Sequence, residues 1–293
     1  MLGLWLCCTL MSDSSVMDTI PSGSATVPVT VGGHDLDLFT YKPADYSDGP
    51  LILVFHGVLR NAEEYRDHAR GMGDRFRALI VAPRFPEDRF PIPSYQLGGL
   101  LIDGEVQPRS RWTWELIPQM VREVRRREGR PDLPYYLIGH SGGGQFLIRL
   151  SGFTPTEARR IVVSNPGTYL FPARDHDYPY GFGGLPDGLA DDSVLKRFLE
   201  QPITLYLAMN DTERDEHFDQ TPPAERQGAT RWERGNNAYK AAHELAQKRG
   251  WKCNWRLVSV PGVGHDHQLM FDHETCREAL FGPEFPSSTK ASD

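Results

Sequence analysis

The sequence is poor in the features that would tie it to several protein classes. It has 4 cysteines in 293 residues, and only Cys253 and Cys276 lie in its body. Two cysteines make neither a disulfide framework nor a zinc pattern. The simplest expectation is a pair of free thiols in a reducing compartment, with a Cys253 to Cys276 bridge as the alternative that would point to export. No apolar run approaches the length of a membrane span. The formal charge is −7 with no basic block to offset it, so phosphate-backbone binding has little electrostatic support. Lysine and arginine are absent before Lys42. The opening residues Met1 to Leu10 therefore have the apolarity of a signal-peptide core without the basic residues that should precede it. That weighs toward the cytoplasm, keeps export as the alternative, and leaves Met11 and Met17 as alternative starts.

What is present is ordinary globular material, 39% apolar and 24% charged, enough to bury one large core. The expected division is an N-terminal segment over residues 1–25 that is disordered or mis-assigned, one domain over 26–282, and a flexible tail over 283–293. Short apolar, β-branched runs alternate with helical stretches, the pattern of a mostly parallel sheet covered on both faces. Thr26 to Val31 and Asp35 to Tyr41 read as an antiparallel edge hairpin. Strands are expected at Leu51 to Phe55, Leu79 to Ala82, Tyr135 to Ile138, Ile161 to Ser164, Ile203 to Ala208 and Trp255 to Val260, giving an eight-stranded α/β sheet. Helices are expected at Asn61 to Arg75, Trp114 to Arg127, Gly143 to Leu150, Asp192 to Glu200, Asn236 to Arg249 and Met270 to Leu280. Asn165 to Leu189, rich in Gly, Pro and aromatics, reads as a loop or small cap.

The chemistry concentrates at strand ends. Gly139-His140-Ser141-Gly142-Gly143 follows one strand and opens a helix, the context of a nucleophile elbow. Ser141 is the expected nucleophile, and a base should come from the loop after the last strand. Pro261-Gly262-Val263-Gly264-His265 supplies it, with His267 as the rival. Asp211, the first acid after Ile203 to Ala208, is the expected orienting carboxylate, and Asp215 the alternative. The oxyanion donors are expected from the amides of Gly142 and Val58, the latter in the turn His56-Gly57-Val58; His56 reads as structural. Asp211, Glu213, Asp215, Glu216, His217 and Asp219, or Asp175, His176 and Asp177, match no metal-loop spacing, and neither a metal nor a cofactor is expected.

These residues together resemble the α/β-hydrolase superfamily over roughly residues 26–282. Within it, His56-Gly57 with Asn61-Ala62 and Tyr65 is similar to the polyhydroxyalkanoate depolymerase-like and feruloyl-esterase-like branch. The resemblance implies hydrolysis of a carboxylic ester, of a small molecule or a polymer, through an acyl-enzyme. Tyr95, Trp112, Trp114, Tyr169, Phe171, Tyr178, Tyr180 and Phe182 sit at loop positions that suit an aromatic pocket wall, and Arg60 stands next to the oxyanion turn. The expected substrate contacts are Arg60, Tyr95, Trp112 and Tyr169. Two rivals share the pattern: a peptidase or amidase using the same residues, and a non-catalytic small-ligand-binding protein on the same fold. No nucleic acid or membrane partner is expected, and no oligomeric state follows from the sequence.

Overall fold

The computed structural model describes residues 19–283. Residues 1–18, which hold Cys7, Cys8, Met11 and Met17, and residues 284–293 lie outside the described residues, and with them most of the expected leader and tail. The edge hairpin pairs β1 (Gly23–Val31) with β2 (His34–Lys42) through the turn at Gly32 and Gly33. It begins before the expected Thr26, and Ile20 ahead of it is buried in the core.

The parallel strands then arrive in order. β3 (Leu51–Phe55) is followed by α1 (Ala62–His68) and α2 (Arg70–Phe76), two helices meeting at Ala69 where one continuous helix was expected. β4 (Leu79–Pro83) leads into a long irregular stretch with an unanticipated short hairpin, β5 (Leu101–Ile102) with β6 (Glu105–Val106). Two 3-10 turns, Arg109–Arg111 and Thr113–Glu115, lead into α3 (Leu116–Arg127). β7 (Tyr135–His140) feeds α4 (Gly142–Phe153), and β8 (Ile161–Ser164) precedes the aromatic segment. α5 (Asp192–Glu200), β9 (Ile203–Ala208) and the short α6 (Pro222–Glu225) follow. α7 (Arg231–Arg249), β10 (Arg256–Val260), α8 (His267–Asp272) and α9 (Cys276–Phe281) complete the fold. The closing helix expected over Met270 to Leu280 is two pieces, because His273 takes an extended ψ of 143° at the end of α8.

The strands form one 8-stranded sheet in the order β1-β2-β4-β3-β7-β8-β9-β10. Both pairings of β2 are antiparallel and every pairing from β4 to β10 is parallel. Strands β3, β4, β7, β8 and β9 are buried at every residue, as a sheet covered on both faces requires. Alternation within them is between two cores. Leu51, Leu53 and Phe55 pack on one side with Leu137 and Phe146, whereas Ile52 and Val54 pack on the other with Ile138, Val162 and Val258. Polar side chains are costly there and few: besides His140 at the end of β7, Ser164 in β8 and Thr204 in β9 are buried, and their hydroxyls find no partner. Function is thereby pushed to the loops at the carboxyl ends of β3, β7, β9 and β10. No helix among the described residues is long and apolar enough to cross a membrane.

Candidate active site

Ser141 caps the N-terminus of α4 with φ 56° and ψ −117°, a conformation costly for a residue bearing a side chain. The neighbouring backbone enforces it. A Cβ on Gly139 would lie 2.4 Å from the Gly143 oxygen, and one on Gly143 would lie 2.2 Å from the Phe55 oxygen. Only glycine fits at either position, so the turn from β7 into α4 can close tightly with the start of α4 against the end of β3. The Ser141 amide donates to the Ser164 oxygen at 2.9 Å, fastening the turn to β8.

The turn after β3 is held by His56, which is fully buried. The Phe85 amide donates to His56 Nε2 at 3.1 Å. Nε2 is therefore unprotonated, and Nδ1 donates to the Gly57 oxygen at 2.9 Å. Burial above all pushes the His56 pKa down to about 3, so the ring stays neutral. With the Gly57 carbonyl tied back, the trans peptide aims the Val58 N–H the opposite way. That amide nitrogen lies 3.2 Å from where a Cβ on Gly142 would stand. The two amides expected to act as donors are thus neighbours.

The loops after β9 and β10 are fastened to each other. The Met209 amide donates to the Val260 oxygen at 2.9 Å and the Asn210 amide to the Val263 oxygen at 3.0 Å. This places His265 Nδ1 2.6 Å from Asp211 Oδ2. Asp211 is 1% exposed, and a buried carboxylate needs compensation. Arg231, itself buried, stands 3.5 Å from the other Asp211 oxygen, an electrostatic contact rather than a hydrogen bond. It makes its closer ion pair, at 2.8 Å, with Asp215. Burial raises the Asp215 pKa, but Arg231 and the His217 amide outweigh it and leave it below the usual value. The alternative acid Asp215 therefore serves Arg231, and Asp211 is the acid on His265.

Arg231 was missed in the sequence, yet a signal marked it. Thr230-Arg231-Trp232-Glu233 is a capping-box pattern. The Thr230 side chain accepts from the Glu233 amide, and Glu233 accepts from the Ala229 amide at 2.8 Å. This starts α7 at Arg231, ahead of the expected Asn236, and sets the arginine against Asp211.

His267, the rival base, is turned away from that acid. Its ring stacks on Tyr65 at 3.9 Å with 4° between planes, and its Nε2 meets His68 Nδ1 at 2.8 Å. Ser141 and His265 line one cavity of about 190 Å³ together with Val58, Leu59, Tyr65, His140, Asp215 and Arg231. The His140 and His265 ring centres are 4.5 Å apart.

The expected aromatic wall is elsewhere. Tyr95, Trp112 and Tyr169 are not among the residues lining this cavity. All three are buried: Tyr95 donates to the His56 oxygen at 2.8 Å, and Trp112 Nε1 to the Gln107 oxygen at 2.9 Å. Trp114, Phe171 and Phe182 are core residues as well. Arg60 packs its guanidinium over the Tyr95 ring, donates to the Phe90 oxygen, and lines a neighbouring cavity of about 620 Å³ that also includes Leu59, Asn61 and Glu64. Cys253 and Cys276 are both free, Cys276 packing on Met72.

Solved structures give the fold its relatives. The crystal structure of LpqC, a poly(3-hydroxybutyrate) depolymerase from Bordetella parapertussis, superposes with a TM-score of 0.83 at 33% identity, over 93% of this chain and 96% of that one. Poly(aspartic acid) hydrolase-1 from Sphingomonas sp. KT-1 superposes with a TM-score of 0.83 at 28% identity, over 89% of this chain and 99% of that one. The siderophore hydrolase EstB from Aspergillus nidulans shares the fold alone, at 16% identity and a TM-score of 0.51 over 89% and 96% of the two chains. Neither a family model nor a curated protein matches the sequence. The chain belongs to the α/β-hydrolase superfamily.

Proposed function

We propose that the protein hydrolyses a carboxylic ester, with Ser141 as nucleophile, His265 as base and Asp211 as the group that orients it. One observation carries the reading: a serine held at φ 56° on a helix N-terminus shares a cavity with a histidine whose Nδ1 is fixed 2.6 Å from a buried aspartate. Asp211 keeps the proton on Nδ1, which leaves Nε2 free to take the Ser141 hydroxyl proton. The alkoxide attacks the ester carbonyl, and the amides of Val58 and Gly142 receive the charge that develops on its oxygen. His265 returns the proton to the departing alcohol. Water, deprotonated by the same imidazole, then releases the acid.

A cavity of about 190 Å³ favours a short acyl unit, and the larger hollow sharing Leu59, Asn61 and Glu64 offers room for a longer chain. We therefore favour a short-hydroxyacid oligoester over an aromatic ester. A polyamide is the second reading, favoured by the likeness to a poly(aspartic acid) hydrolase over 99% of that chain. The test is hydrolysis of p-nitrophenyl esters from acetate to long acyl chains, beside 3-hydroxybutyrate and aspartate oligomers, by wild type and Ser141→Ala. The ester reading expects turnover of the short esters and the hydroxybutyrate oligomer, with a loss of at least about a thousandfold in the variant. Turnover of aspartate oligomers alone would replace it with the amide reading.

A further inference from the structure

We infer that Glu64, His68 and His267 form a binding site for a divalent transition-metal ion, Zn²⁺ fitting best, at the edge of the cavity that holds Ser141. The inference goes beyond the hydrolase reading and does not depend on it. A donor atom from each of the three residues lies within 4.8 Å of the others, and this is the one such grouping of histidine, cysteine and acidic side chains among the described residues. Glu64 and His68 stand one turn apart on α1, so both face the same way. His267 reaches them from the first turn of α8, 199 residues later in the chain.

The spacing suits a small tetrahedral ion. Zinc bonds of about 2.0–2.1 Å put donor atoms about 3.3 Å apart at the corners of a tetrahedron. The separations here bracket that figure: 2.8 Å between His68 Nδ1 and His267 Nε2, 3.8 Å from His267 Nε2 to Glu64 Oε1, and 4.0 Å from His68 Nδ1 to the same oxygen. A hydrogen bond between the imidazoles occupies one lone pair and leaves Glu64 short of both rings. A cation between them engages both lone pairs and the carboxylate together. Two imidazoles with one carboxylate favour zinc over magnesium or calcium, which take oxygen donors.

The donors are also held in place. Tyr65 stacks on the His267 ring at 3.9 Å. Asp266 caps α8 by accepting from the Leu269 amide at 2.9 Å, which fixes the backbone at His267. A bound ion would join α1, which follows the turn carrying Val58, to α8, which follows His265. Its role would be to clamp the two loops that flank Ser141.

The test uses the full chain, stripped with a chelator, and zinc chloride as the probe. Competition with a chromophoric chelator should give one equivalent bound at micromolar affinity or tighter. A hundredfold excess of zinc over Kd should raise Tm by about 5 °C. His68→Ala should weaken binding by at least about a hundredfold, since losing even an outer partner of a ligand costs 10–100-fold; Glu64→Gln, at an exposed position, does the same without removing packing. Near-UV circular dichroism checks that each variant folds. A Cys7→Ser/Cys8→Ser variant should keep the equivalent. Absence of a stoichiometric equivalent in wild type overturns the site, as does an equivalent that survives in both His68→Ala and Glu64→Gln. Loss only in the cysteine variant overturns it in favour of the N-terminal thiols.

Discussion

Two sets of loops crown the same sheet and are built on opposite principles. The loops after β9 and β10, the second of them short, are polar and stitched to each other by backbone hydrogen bonds, with Asp211 and His265 at their meeting point and Arg231 at the start of α7 beside them. The segments after β4 and β8 are long and aromatic. They have collapsed onto α4: Trp114 stacks on Phe153 at 5.6 Å, Phe153 meets Phe182 at 5.4 Å, and Tyr95 stacks on Phe146 at 5.2 Å. Aromatic rings in an irregular segment suggest a substrate wall, but each buries enough apolar area to drive the segment into the core instead. The polar loops cannot collapse in that way, so they are fixed by directional bonds and keep a cavity open.

If that division holds, substitutions should separate cleanly into losses of turnover and losses of stability. The largest effect belongs to the polar side. Asp211→Asn should lower kcat by about 10⁴-fold with little change in KM, because the amide favours the wrong His265 tautomer; steady-state kinetics on a short ester would show it, and a loss under tenfold would detach Asp211 from the chemistry. On the aromatic side, Trp114→Ala should cost about 3–5 kcal/mol of stability in a urea titration while leaving KM for a short ester unchanged. A KM shift of tenfold or more, with stability intact, would return the aromatic segment to the substrate wall.

Much of this arrangement could be read in the letters, and the failures at the site have one cause, apart from local breaks such as the one at Ala69. The eight strands, the elbow at Ser141 and the strand-end positions of Asp211 and His265 were legible because each follows from local pattern: period, small residues, and order along the chain. What failed needed contacts between distant segments. Tyr95 and Trp112 look alike as pocket or as core until the packing of α4 is known. Glu64 and His68 mean little until α8 brings His267 to them. Arg231 is the intermediate case, since its helix start was written in Thr230 and Glu233 while its partner Asp211 was not.

Two smaller effects sharpen the division within the polar side. Burial holds the His56 pKa down to about 3 and, with the neighbouring His68, lowers that of His267 to about 4. The unfolded chain protonates both near pH 6.5. Between that pH and the folded values the unfolded state binds more protons, so stability is complete above about pH 6.5 and falls as pH drops. For His56 the loss between pH 6.5 and pH 4.5 should be about 2 kcal/mol, with His267 adding to it, measured by urea titration at each pH. A flat profile across that window would mean that the ring holding Gly57 is not confined to its neutral form.

Val58→Ala should have the smallest effect. The oxyanion contact assigned to this residue is its amide, and the amide is aimed by His56 acting on the Gly57 carbonyl, not by the valine side chain. Trimming that side chain leaves donor and aim in place, so kcat should fall by less than about tenfold, against the 10²–10³-fold that losing an oxyanion donor costs. His56→Ala removes the aim but leaves the Val58 amide, and it should cost more in kcat than Val58→Ala once the variant is shown to be folded. Equally small losses would mean that His56 does not aim the amide, and equally large ones that the valine side chain itself meets the substrate.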